Sequence, residues 1–170
     1  YTPSSGFSLV DISDTLSASN THGHDKFRGA TTTASGKVVF APVTADGIGV
    51  YDPPTSSFEY HDWIWPRQSG WLYSGGLVAA GNAEQPSAPG NLVVLAPSPT
   101  TDVVVFNVET GKHNFLDIST LYTVAEGQDH VSQWPYRGAA LAHDGRVVFA
   151  PSCARGVGVF TPSSCEERYY

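Results

Sequence analysis

Four tryptophans, Trp63, Trp65, Trp71 and Trp134, fall in two polar stretches, "HDWIWPRQSGW" from His61 and "AEGQDHVSQWP" from Ala125. Flat apolar rings beside Arg, Gln and Asp are what a sugar-binding surface uses, so a glycan is one ligand these stretches fit. Burial between packed sheets is the other reading, since large aromatics serve burial first. Arg28 and Arg137 each follow an aromatic residue, in "FRGA" and "YRGA", with Ser74 at the matching place between them. Two such guanidinium groups either contact an anion or hold carbonyls and carboxylates of neighbouring strands. His22, His24, Asp25, Asp129 and His130 offer the nitrogen and oxygen donors of a metal site. His-x-His-Asp is a loose pattern without a counterpart in the middle of the chain, so no metal and no other cofactor is assigned. There is no Ser-His-Asp order, Gly-rich phosphate loop or Cys-His pair in a helpful context, and His143-Asp144 belongs to a hairpin turn. The chain is therefore expected not to be an enzyme.

The formal net charge of -7, with only nine Lys and Arg in 170 residues, argues against a nucleic-acid partner. Phosphate-backbone affinity needs clustered basic residues. Apolar residues make up 41% of the chain, enough for a sizeable core. Their runs are of strand length, well short of the roughly 20 residues of a membrane helix. The chain opens on Tyr1, contains no Met and reads as a mature or excised piece. Scarce Lys, absent Met and the candidate pair Cys153 and Cys165 point to an extracellular or cell-surface setting. Those two cysteines flank the "GVGVF" run, and either a disulfide or two buried free thiols fits their placement.

What must position these residues is a repeat. "KVVFAPVTADGIGVY" from Lys37, "LVVLAPSPTTDVVVF" from Leu92 and "RVVFAPSCARGVGVF" from Arg146 are one fifteen-residue pattern written three times, with starts at 37, 92 and 146. Repeats of this length mark propellers and solenoids. Each unit divides into four short segments rich in β-branched and aromatic residues, punctuated by turns. In the first unit these are "FRGATTTAS", "GKVVFAPV", "GIGVYDP" and "SFEYHDWI". Gly in "ASGK" and "HDGR" accepts the positive φ of a hairpin turn. Ala-Pro ends the second segment in every unit, because proline has no N–H for a continuing ladder. Val38, Val39, Phe40, Val93, Val94, Leu95, Val147, Val148 and Phe149 are expected to form the central rows, since a strand buried on both faces loses polar alternation. The fold class is all-β: three four-stranded antiparallel propeller-type blades. Residues 14–64, 65–119 and 120–170 are the units of a single repeat domain, and 1–13 is a surplus outer strand.

The unit resembles a kelch-type β-propeller blade. "FRGA" and "YRGA" are similar to the kelch opening strand, "GKVVF" and "GRVVF" to its second strand, and "GVYDPPTSSFEYHD" to its third strand, turn and fourth strand. It departs from the kelch pattern where Ala-Pro stands in place of the double glycine. The resemblance implies packing and carries no activity with it.

Three blades do not close a ring that typically takes 4 to 8. "FSLVDIS", with Phe7, Leu9, Asp11 and Ile12, has the composition of a fourth strand, matching "FEYHDWI" and "HNFLDIS" with Asp11, Asp62 and Asp117 in register. It is expected to pair outside its own unit, along "GVGVF" of another blade 3 or at an inter-subunit seam. The sequence thus favours a structural module that assembles with further copies or neighbouring repeats, as a ring or a fibre. The alternative is a lectin-like propeller using the loop tryptophans.

Overall fold

The computed structural model describes residues 6–17, 25–62, 77–80, 90–98, 100–121 and 134–162. Apart from one short helix, α1 (Ser13–Ser17), its elements are strands. They form three antiparallel sheets in plain meander order. The first runs β1 (Phe27–Thr32), β2 (Val38–Pro42), β3 (Gly47–Asp52), β4 (Ser57–Asp62). The second runs β5 (Leu77–Ala80), β6 (Leu92–Leu95), β7 (Asp102–Asn107), β8 (His113–Asp117). In the third, β9 (Tyr136–Leu141), β10 (Val147–Pro151) and β11 (Gly158–Phe160) are paired, and the residues after Pro162 lie outside the described ones. We call these sheets blades 1, 2 and 3. The first strands lie innermost, with β5 beside both β1 and β9, and the fourth strands lie outermost.

The turns follow from their residues. Gly36 and Gly145 take φ of +83° and +81°, and each donates its N–H to the residue three back, Thr33 and Ala142. Two of the first strands, β1 and β9, carry a kink the sequence reading missed. Phe27 pairs with Pro42 but Ala30 with Phe40, and Tyr136 pairs with Pro151 but Gly138 with Ala150. The extra residue is a β-bulge, and Gly29, at φ +90°, supplies the backbone freedom one of them needs. Arg28 and Arg137 sit in these bulges and are exposed. The glycine after each arginine was the available signal.

Two cores hold the blades together. Val39, Ala41, Ile48 and Val50 of blade 1 meet Val93, Leu95, Val104 and Phe106 of blade 2. On the other side of blade 2, Val94, Ala96, Val103 and Val105 meet Tyr136, Val147, Phe149 and Phe160 of blade 3. Alternation along each strand sends neighbouring residues to opposite faces, so a middle blade with apolar residues at every position is buried on both. None of the nine central-row valines, phenylalanines and leucine is exposed, as the sequence implied.

One substitution pattern shows how the seams stay close-packed. Phe40 lies opposite Gly49 and Phe149 opposite Gly158, whereas in blade 2 the pair is Leu95 and Val104. A Cβ on Gly158 would come 2.9 Å from the Phe149 ring and 3.0 Å from the Tyr136 ring. Large with none, or medium with medium, fills the same space.

Candidate functional site

The inner strands place Arg28 and Arg137 on equivalent bulges, each with a local partner. The Arg28 guanidinium lies 3.3 Å from the Asp25 carboxylate, and both side chains are at least half exposed, so the pair adds little stability. Arg137 stacks over the half-buried Trp134 ring at 4.3 Å from its centroid. Of the four tryptophans only Trp134 is among the described residues; Trp63, Trp65 and Trp71 lie outside them. So do His22, His24, Asp129 and His130; Asp25 is engaged by Arg28. Among the described residues no group of three or more metal-capable side chains comes together. Cys153 is a half-buried free thiol, and Cys165 lies outside the described residues.

A second cluster, not anticipated, lies at the rim of the first seam. The His61 ring stands edge-on to Phe106 at 5.2 Å, and its Nε2 is buried 3.6 Å from the Glu59 carboxylate, too far for a hydrogen bond. Burial, and then the charge of nearby His61, hold the His113 pKa below its ordinary value. These are seam residues more than a reactive pair.

A further candidate surface among the described residues is formed by the two end faces. Counting by the repeat, the residues of blade 3 that correspond to Val39, Ala41, Ile48 and Val50 are Val148, Ala150, Val157 and Val159. Blades 1 and 2 bury this face: Ile48 is 0%, Val50 2%, Val103 1% and Val105 1% exposed. In blade 3, Val157 is 60% and Val159 54% exposed. The opposite end is blade 1's other face, where Phe27, Phe40, Tyr51 and Phe58 border a groove of about 310 Å³. Phe27 and Phe58 meet edge-on at 6.1 Å.

Residues 8–12 form the far wall of that groove. Ser8, Val10 and Ile12 line it, while Phe7 and Leu9 point away, 92% and 83% exposed. The segment forms no β-ladder among the described residues, so the strand expected there is not made within this chain. It nevertheless ends like a fourth strand. The Asp11 carboxylate accepts the Ser13 N–H at 2.9 Å, and the Asp117 carboxylate at the end of β8 accepts the Ser119 N–H at 2.8 Å. That bond holds Asp11 below the usual carboxylate range. Ile118, after β8, packs on the seam between blades 2 and 3, and Ile12 borders blade 1 in the corresponding place.

No family model matches the chain, and no curated protein matches it. Solved structures do. The chain is similar to a catalytically inactive virginiamycin B lyase from Staphylococcus aureus with quinupristin, at 14% identity and a TM-score of 0.60, over 84% of this chain and 40% of that one. A streptogramin B lyase matches at 14% identity and a TM-score of 0.58, over 89% and 42%. The extracellular domain of a one-component system from B. thetaiotaomicron matches at 14% identity and a TM-score of 0.51, over 81% and 15%. The chain spans about two fifths of the length of the two lyases. No helix of the described residues is long and apolar enough to cross a membrane. At such identities the likeness speaks for the fold alone. With its three antiparallel sheets, the chain has the fold of the β-propeller proteins it matches.

Proposed function

We propose that this chain is a non-enzymatic, kelch-like repeat module whose role is assembly: it joins further propeller blades, from more copies or neighbouring repeats, at its end faces. One observation carries the reading. Of the four apolar positions that blades 1 and 2 bury on this face, blade 3 exposes three, Ala150, Val157 and Val159, and half-buries Val148. Valines more than half exposed on a sheet face mark a contact surface. An extracellular or cell-surface setting goes with this role, and one of the structural neighbours is an extracellular domain. Sedimentation of the purified chain across micromolar concentrations is the test. A dimer, ring or open-ended polymer is expected; a stable, well-folded monomer refutes the proposal.

A glycan-binding role is the second reading, favoured by the Trp134 and Arg137 stack. It expects a Trp fluorescence shift on titration with sugars, abolished by Trp134→Ala. A flat response across a glycan array removes it.

A further inference from the structure

We infer that residues 7–12 are the fourth strand of blade 3 in a second copy of this chain. The inference rests on the assembly reading and names its partner, surfaces and register. It starts from where the exposed apolar side chains stand. In β4 and β8, pairing with the third strand sets Phe58 opposite Tyr51 and Tyr60 opposite Gly49, and likewise His113 opposite Phe106 and Phe115 opposite Val104. Carried along the repeat, the same register sets Phe7 opposite Phe160, Ser8 opposite Val159, Leu9 opposite Gly158 and Val10 opposite Val157.

That arrangement accounts for both sides of the segment. Phe115, the counterpart of Leu9, packs against the core between blades 1 and 2. Phe7 and Leu9 would pack in the same way between blades 3 and 2 of the second copy, and they are 92% and 83% exposed in the single chain. Ser8, Val10 and Ile12 already face blade 1, as a preceding blade's fourth strand would. Blade 3 of the second copy then lays Val148, Ala150, Val157 and Val159 on the face bearing Phe40, Tyr51 and Phe58. This continues the seams that Val39, Ala41, Ile48 and Val50, and then Val94, Ala96, Val103 and Val105, make inside the chain. Backbone pairing supplies affinity and the alternating side chains supply register. The contact is head-to-tail, so it closes into a ring or runs on as a filament.

Single-cysteine chains test this directly. In a background carrying Cys153→Ser and Cys165→Ser, one chain carries Ser8→Cys and another Val159→Cys; the control replaces the latter with Ala140→Cys. Ala140 lies two strands inward on the same row, through Val148. Ser8, Val159 and Ala140 are all exposed, so the substitutions leave the cores intact. On mixing and mild oxidation, the Ser8→Cys and Val159→Cys chains should form a mixed disulfide at least about tenfold more efficiently than the control pair, because docking raises the local thiol concentration. Sedimentation is run on the same background without added cysteines. If the chain assembles and the control pair links as well as the test pair, or neither links, the strand assignment is overturned while the assembly reading stands. A monomer that does not cross-link overturns both.

Discussion

Phe149 and Gly158 face each other across β10 and β11, where blade 2 has Leu95 and Val104, so blade 3 should accept the blade 2 solution only if both residues change together. Gly158→Val alone drives its Cβ to 2.9 Å from the Phe149 ring and 3.0 Å from the Tyr136 ring. Both rings are nearly fully buried, so neither has room to retreat. Overpacking of this kind costs about 1–3 kcal/mol, partly offset by the roughly 0.5–1 kcal/mol that a strand glycine forgoes. Phe149→Leu alone removes ring volume beside a residue with no side chain and leaves a cavity, costing about 1–2 kcal/mol. In Phe149→Leu/Gly158→Val the branched side chain fills that space, and a volume-conserving exchange costs less than about 1.5 kcal/mol. A coupling of about 1–3 kcal/mol should therefore appear in the double-mutant cycle. Urea unfolding of the four proteins at one chain concentration measures it, provided m is unchanged. Additive costs would show that the compensation across the pair is not steric, and the space-filling account of the seams would fail.

The repeat provides its own controls for a second test. Val50→Ala and Val105→Ala should each cost about 2 kcal/mol, and Val159→Ala under about 1 kcal/mol at concentrations too low for assembly, because each buried methylene is worth about 0.8 kcal/mol; equal losses at all three would mean that Val159 is covered within the chain. Gly47→Ala should be severely destabilising, because its Cβ would overlap the His61 carbonyl in β4, which cannot move without breaking the β3–β4 ladder. Gly36→Ala meets nothing and should cost only about 1 kcal/mol of left-handed strain, so similar midpoints for the two would refute the steric argument. Since the folded chain holds His113 below its ordinary pKa, the unfolded chain binds the proton more tightly. Its contribution is complete above about pH 6.5 and is lost as the pH falls through that value toward the folded one. His113→Gln should flatten the fall in stability between neutrality and about pH 5, and an unchanged slope would assign it to other groups.

How much of this could be read from residues alone depends on what each residue answers to. The strands were legible because their signals are local: β-branched runs, Gly36 and Gly145 at hairpin turns, and proline at the end of the second strand. The helix α1 was not anticipated, although Ser13 and Asp14 at its start are helix-opening residues. A five-residue turn yields too little periodicity to stand out. The bulges at Arg28 and Arg137 hid for another reason. An arginine between an aromatic and a glycine fits an anion contact or a structural bond to neighbouring strands, and neither reading displays the pairing against Pro42 and Pro151 that makes it the residue left over. The pairing of Phe149 with Gly158 needed the register, which no run of residues displays.

Exposure is the property a repeated sequence conceals most completely. Val50, Val105 and Val159 have the same side chain, the same place in the third strand and a valine opposite in the second, so composition predicts one environment for all three. Their exposures are 2%, 1% and 54%. What differs is whether another blade packs on that face, which is a fact about the neighbour and not about the residue. The same reasoning runs the other way for Phe7 and Leu9. Their counterparts in β8, His113 and Phe115, are half-buried because blade 1 lies beside them, while Phe7 and Leu9, with no such blade, are the most exposed large hydrophobics among the described residues. Blade 3 keeps its valines at 157 and 159, and the N-terminal segment keeps Phe7 and Leu9, so both ends carry the chemistry of an interior seam.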